Sequence, residues 1–216
     1  VDAKKTLMGN RFFLPVQEGY QDNSTSWGHD VEAAKKLLDG AGWVAGSDGV
    51  RAKDGTKLEL VMTIPSNAPV ATNEANLLQK QLGEVGIKLS VSTVEIDKYF
   101  PEYLNKKNYA LTAFTTENTQ YPLANVGQYY ASTSQSNYTG LSVPEVDEYV
   151  AKIGSTPDGA ERNKLANELD KILWENVFNI PIYQRMQLTA VPKTLRNFGA
   201  QGLASFRPES IGYVKS

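Results

Sequence analysis

The sequence has no cysteine and a single histidine, His29. Without thiols there is no disulfide, no thiolate metal site and no cysteine nucleophile. His29 stands at the start of a helix, so it builds neither a catalytic triad nor a histidine-based metal site. No apolar run approaches the roughly 20 residues that cross a bilayer. Charge of one sign is missing too: 22 Lys and Arg face 24 acids, for a net charge of -2. With no basic patch interleaved with aromatics, there is no electrostatic footprint for nucleic acid. G-x-S-x-G, a Walker loop and a dinucleotide fingerprint are all absent, so an enzyme reading finds no support and no cofactor is expected. What remains is a chain of 216 residues, enough for one domain, or one with a subdomain, and a sizeable core without staples.

Residues 30–64 organise that chain. Asp30 is placed to cap a helix, and Val31, Ala34, Leu37, Leu38 and Ala41 recur on one of its faces. Gly42 takes the left-handed position that stops it, and Trp43 folds back on Leu38. Two Asp-Gly turns, Asp48-Gly49 and Asp54-Gly55, then launch an apolar strand over residues 58–64.

The pattern D-x-x-x-A-K-K-L-L-x-x-A-G-W from Asp30 to Trp43, followed by two D-G turns and L-x-L, resembles the extracellular solute-binding proteins of family 5. These are the peptide-, nickel- and sugar-binding receptors of ABC importers. The resemblance runs to about Phe198 and matches the C-terminal lobe of a two-lobed protein. It implies an α/β fold, a periplasmic-binding-protein-like (type II) lobe whose mixed, mostly parallel sheet is flanked by helices. Residues 1–198 are then the ligand-binding lobe, and residues 199–216 a tail returning towards a missing N-terminal lobe. The implied partners are a peptide or other small-molecule ligand, the missing lobe and an ABC permease, with no nucleic acid and a monomeric state. No signal peptide is present at Val1, which alone favours the cytoplasm. The resemblance points instead to an extracellular or periplasmic lipoprotein, with its export signal and lipidated cysteine upstream.

Along the chain, residues 1–8 are expected as helical turns, 12–16 as an extended piece and 18–28 as a polar, turn-rich segment pinned by Trp27. Pro65 and Pro69 bracket a loop. A helix over residues 72–85 carries Ala71, Ala75, Leu78, Leu82 and Val85 on one face and ends at Gly86 and Ile87 as the first helix does. A strand over 88–94 makes a parallel, right-handed crossover with the first. Asp97 caps a short helix to Leu104, with Pro101 in its first turn, and residues 109–115 form the third strand. Ser142 and Glu145 read as a capping box around Pro144, for a helix burying Val146, Tyr149, Val150 and Ile153. Its acids Glu145, Asp147 and Glu148 form a solvated face. Asp158 and Glu161 start a longer helix to about Asn176, with Leu165, Leu169, Ile172 and Leu173 inward. Residues 180–184 and 187–191 are expected as closing strands, and 199–216 shows no periodicity.

Ligands of open α/β sheets bind beyond the carboxyl ends of the parallel strands. There the sequence changes character: residues 118–143 hold no charged side chain but four tyrosines, Tyr121, Tyr129, Tyr130 and Tyr138. Tyrosine offers a rigid face with a polar tip, suited to adaptable recognition; a solvated low-complexity loop is the bland alternative. The binding reading expects the segment at the strand tips rather than packed beneath helices. In peptide-binding family members the strand ends G-W-x-x-D, its main chain pairs with the peptide, and its acid meets the amino group. Here the chain reads Ala113-Phe114-Thr115-Thr116-Glu117. Ala113 and Thr115 then offer backbone groups, Phe114 stands for the Trp and Glu117 for the Asp. Glu is one methylene longer, however, and Pro122 follows Glu117 by five residues instead of four, so Asn118 is the alternative ligand-facing residue. Glu117 pointing into water stays open as well. Arg185 reads as a surface arginine, and Trp174 and Phe178 as core. The cargo expected is an oligopeptide; an oligosaccharide or other solute is the alternative, and a protein-interaction module a more distant one.

Overall fold

A computed structural model of the chain describes residues 7–116, 121–185, 188–200, 205 and 207–214. The chain forms two compact units: an α/β unit of Trp27–Thr116 and Tyr138–Gly140, and a mainly helical unit of Val1–Ser26, Glu117–Asn137 and Leu141–Ser216.

In the α/β unit, α1 (Val31–Gly40) begins where the Asp30 carboxylate accepts from Ala33 N at 2.9 Å. It ends with Gly42 at φ 86°, Gly42 N–H on Asp39 O and Trp43 N–H on Leu38 O, both 2.9 Å. These are the paired bonds of a Schellman ending. Its apolar face is a different matter: none of its residues is buried, and Leu37 is 76% exposed. The helix is held at its end instead. β1 (Val44–Ala45), β2 (Arg51–Lys53) and β3 (Thr56–Lys57) make an antiparallel meander through the two Asp-Gly turns.

From β2 the buried Arg51 side chain donates through Nε to Val85 O at 2.8 Å and through Nη1 to Trp43 O at 2.6 Å, and Nη1 also meets the Asp39 carboxylate. Its N–H donates to Gly86 O at 2.8 Å. Gly86 is at φ 85°, and a Cβ there would lie 2.8 Å from Arg51 Cγ. Glycine is therefore required by both backbone conformation and space.

β4 (Glu59–Pro65) and β5 (Lys88–Val94) pair in parallel from Glu59↔Lys88 to Pro65↔Val94, joined by α2 (Pro69–Glu84). α2 starts three residues before the expected position, because Pro69 sits at its first turn, where a missing N–H costs nothing. α3 (Ile96–Lys98) runs into a π-helical segment, Tyr99–Leu104, and Glu95 rather than Asp97 holds the N-cap position. Pro101 has no N–H to give residue 97. The chain widens, with Asn105 N on Phe100 O and Asn108 N on Tyr103 O, both 2.9 Å. β6 (Leu111–Thr112) pairs in parallel with the other edge of β4, giving the order β5–β4–β6. It is much shorter than the expected strand over 109–115. Met62, Ile64, Ala75 and Leu89 form the core, with Leu60, Ala71, Leu78, Leu82, Leu111 and Ala113 packed on it.

In the helical unit, α4 (Val126–Tyr130), α5 (Pro144–Ser155) and α6 (Gly159–Glu175) enclose Phe12, Phe13, Val126, Val146, Ile153, Leu169, Leu173 and Phe178. Asp158 caps α6, accepting from Glu161 N at 2.8 Å. The expected Ser142 and Glu145 box does not form: Val143 is the N-cap and makes no side-chain bond. Pro144 forces the residue before it into an extended conformation, φ -120° and ψ 112°, which shifts the cap by one. Asp147 is not merely solvated, since its carboxylate accepts from Ser132 N at 2.8 Å.

Residues 7–26 are neither extended nor loosely attached. Asn10 accepts from Phe12 N and Phe13 N and donates to Asn167 Oδ1 at 2.9 Å. Asp170 receives Arg11 at 3.1 Å and Asn23 Nδ2 at 2.8 Å, while the Arg11 guanidinium lies 4.3 Å over the Trp174 ring. The expected turns over residues 1–8 lie outside the described residues except Leu7, which bridges to Tyr183, and Met8. Among the described residues the two closing strands are not found. Among the described residues, 180–185 and 188–191 make no ladder beyond that bridge, and Ile180, Ile182 and Leu188 are exposed; Gln187 is not among them. The last part of the chain instead forms a small antiparallel pair, β7 (Leu195–Arg196) with β8 (Gly212–Tyr213).

Removing Arg51 leaves two carbonyls unmet, at about 1–3 kcal/mol each. Arg51→Ala is expected to lower stability by about 3 kcal/mol in urea unfolding. Asp39→Asn, whose carboxylate is largely exposed, should cost less than about 1 kcal/mol. Equal losses would show that the ion pair, not the carbonyl bonds, is the anchor.

Candidate functional site

The carboxyl ends of β4, β5 and β6 lie at one edge of the α/β unit, where Ser66 N–H ties the end of β4 to Val94 O at 2.7 Å. From β6 the chain runs on as residues 113–116, which form no ladder. Ala113 packs back on the core, Phe114 is 41% exposed, and Thr115 and Thr116 are exposed. Tyr138 presents its ring edge-on to Phe114, with centroids 5.2 Å apart and planes at 89°. The Tyr138 carbonyl accepts from Tyr109 OH at 2.5 Å. Of the residues expected at the site, the structure thus places Ala113, Phe114, Thr115 and Tyr138 in one unit and brings Phe114 and Tyr138 into contact.

Beneath this edge lies a chain of hydroxyls. Tyr99 OH is 2.6 Å from Thr112 Oγ1 and 3.0 Å from Ala113 O, and Thr112 Oγ1 is 2.9 Å from Thr63 O. Two protons serve three contacts: either Thr112 donates to Thr63 and Tyr99 to Thr112, or Thr112 donates to Tyr99 and Tyr99 to Ala113. In the first arrangement the Ala113 carbonyl is open to a ligand N–H; in the second it is held by Tyr99. Burial raises the Tyr99 pKa while the Thr112 bond pulls it back, so the hydroxyl stays protonated. Tyr99 and Thr112 were missed in the sequence. The visible signal was a threonine alternating with Leu111 and Ala113 on a strand whose other face is core.

The remaining expected residues belong to the helical unit or lie outside the described residues. Glu117 and Asn118 are in the second group. Tyr121 is 68% exposed. Tyr129 is half-buried against the helical core. Tyr130 is 9% exposed, edge-on to Phe12 at 5.6 Å and 6.3 Å from Phe178. The expectation of a segment free of helix packing therefore fails at Val126 and Tyr130, which α4 turns into the core. The cause is periodicity: residues four apart share a helix face, and both are apolar enough to bury. Arg185 is exposed, and Trp174 and Phe178 are buried, as expected. Among the described residues there is no cluster of acids and histidine that could hold a metal, and no helix long and apolar enough to cross a membrane.

The parallel sheet, its crossovers and the open strand tips define a binding-protein lobe of the periplasmic type, and solved structures share the arrangement. Residues 7–140, more than half the chain, match the model of the bacterial extracellular solute-binding proteins, family 5 (middle region), and the chain belongs to that family. It is 31% identical over 208 residues to the oligopeptide-binding protein OppA of Mycobacterium bovis, covering 96% of this chain and 35% of that protein. The chain thus spans about a third of the length of such relatives. The periplasmic EDTA-binding protein EppA is similar at 27% identity and TM-score 0.74, over 82% of this chain and 34% of that one. The fold is also that of an oligopeptide-binding protein from Thermus thermophilus solved with a pentapeptide: 18% identity, TM-score 0.76, 98% of this chain and 40% of that one. The named relatives are binding proteins.

Tyr130 gives a pH dependence. Burial pushes its phenol from 10.0 up to about 12, partly offset by Arg11 and a bond from Asn179. The fold favours the protonated form, so its contribution is complete below pH 10 and is lost as pH rises from 10 to 12. About two pH units correspond to roughly 3 kcal/mol. Tyrosinate absorbance is expected to show buried phenols, Tyr130 among them, ionising together with unfolding. Tyr130→Phe should shrink that step and make the stability profile shallower over this range.

Proposed function

We propose that this chain is the substrate-receiving lobe of an exported ABC-importer receptor for oligopeptides. The observation that carries the reading is the segment 113–116: it leaves the sheet beyond the strand tips with Phe114 half-exposed against Tyr138. An extended ligand pairs its main chain with the backbone of Ala113 and Thr115, and Phe114 and Tyr138 supply rigid contact faces. Glu117, or Asn118 in its place, meets the ligand amino group; only the carboxylate selects a charged amine. Tyr121 and Tyr129 stand in the helical unit, where Tyr130 acts through packing. The 31% identity to OppA over nearly the whole chain supports the peptide cargo.

On this reading residues 1–198 are the lobe, and residues 199–216 lead towards a second lobe in the complete protein. Ligand bridging both lobes draws the closed state by its higher affinity for it. The closed receptor, monomeric and held at the membrane by an upstream lipid anchor, then docks on its permease.

Binding measurements test this. In the complete receptor, Phe114→Ala should weaken capture of a tri- to pentapeptide pool by about tenfold, the loss of one aromatic pair and its burial. Glu117→Gln should weaken peptide and leave any oligosaccharide or metal–EDTA binding nearly unchanged. Preferential retention of sugar or chelate by the native protein would assign another solute. This chain alone has half of the binding surface, so calorimetry with the same pool should give binding weaker than about 1 μM. Micromolar or tighter binding would contradict the two-lobe reading.

A further inference from the structure

Four aspartates in the chain are followed by glycine: Asp39, Asp48, Asp54 and Asp158. At such a pair the glycine nitrogen, with no Cβ beside it, can reach the preceding side-chain carboxyl. The fold treats the four differently. The Asp39 carboxylate lies within α1 and pairs with the buried Arg51. Asp48 accepts from Val50 N at 3.1 Å and Lys57 Nζ at 2.5 Å, and the would-be attacking nitrogen, Gly49 N, is itself donated to Gly46 O at 3.1 Å. Asp158 is committed to capping α6 through Glu161 N.

Asp54 has none of these restraints. It is exposed at the tip of the β2–β3 hairpin at φ 50°, followed by Gly55 at φ 79°. Among the described residues neither its carboxylate nor Gly55 N–H has a hydrogen-bond partner. A Cβ at Gly55 would meet nothing within 4 Å. The left-handed backbone is costlier for Asp54 than it is for Gly55.

We propose that Asp54 is a site of spontaneous backbone isomerisation, converting to isoaspartate through a succinimide well ahead of the other three aspartates. Gly55 N forms a bond to Asp54 Cγ, and the carboxyl oxygen leaves as water with the amide proton and the acid proton. Water then adds to one imide carbonyl. Breaking the bond between the Asp54 main-chain carbonyl carbon and Gly55 N leaves the main chain running through the side chain, with a free α-carboxylate. Only water is exchanged. The product lengthens the main chain at the turn by one methylene, and its α-carboxylate is the group that isoaspartyl methyltransferases esterify.

The test ages the 216-residue chain at neutral pH and physiological temperature. Isoaspartate is located by electron-transfer fragmentation of peptides and totalled by enzymatic methyl transfer from labelled S-adenosylmethionine. Isoaspartate should appear at Asp54 about tenfold faster than at the other three sites, whose charge-assisted or capping bonds must first break. In urea the four rates should converge. Lys57→Met should accelerate Asp48 and leave Asp54 unchanged. Comparable rates at all four sites in the folded chain, or a lead by Asp48 or Asp158, would overturn the proposal.

Discussion

One buried guanidinium holds the α/β unit together. Arg51 stands where α1 and α2 both finish, and two helix C-termini concentrate partial negative charge and unmet carbonyls. Its fork reaches Val85 O from one helix end and Trp43 O just past the other. Lysine, a point charge on a flexible stem, could not span both in fixed directions. The main chain of β2 joins in through Gly86 O, so the meander becomes a clamp on both helices. This explains how α1 can stay in place although none of its side chains is buried.

With α2 fixed at its end, the β4–β5 crossover is rigid, and the tips of the parallel strands face the same edge. Function in such sheets gathers there because the strands stop while the chain must continue. β6 pairs through only two residues before the backbone is released. The hydroxyls of Tyr99 and Thr112 then take over from the ladder, supporting Ala113 from behind. A short strand and a side-chain relay together hold Thr112 and the Ala113 carbonyl at the edge of the sheet.

What was legible in the sequence was local chemistry. The ends of α1 and α2 were readable because a left-handed glycine and its following apolar residue settle both bonds within about six residues. The apolar positions of α6 were readable from period alone. The roles of Asn167 and Asp170 on the same helix were not legible, because their partners Asn10, Arg11 and Asn23 lie far away in the chain. The π segment after Lys98 was misread as a capped helix, since the missing amide of Pro101 acts on the turn before it. At the candidate site, Phe114 and Tyr138 could be listed but not paired, and four adjacent-looking tyrosines turned out to serve packing and exposure in different units. Uncharged composition cannot separate those roles; helical spacing between Val126 and Tyr130 does.

The amide and carboxylate network at the start of the chain sets an order of assembly. Asn10 bonds to a residue 157 positions later, and Arg11 to one 159 positions later. On a ribosome the sheet of the α/β unit has emerged and can close long before α6 exists. Residues 7–26 must therefore wait, with Phe12 and Phe13 uncovered, until α6 has been made. Such long-range closure is slow and leaves apolar surface open to aggregation. A holding chaperone would find its longest-lived target in residues 7–26.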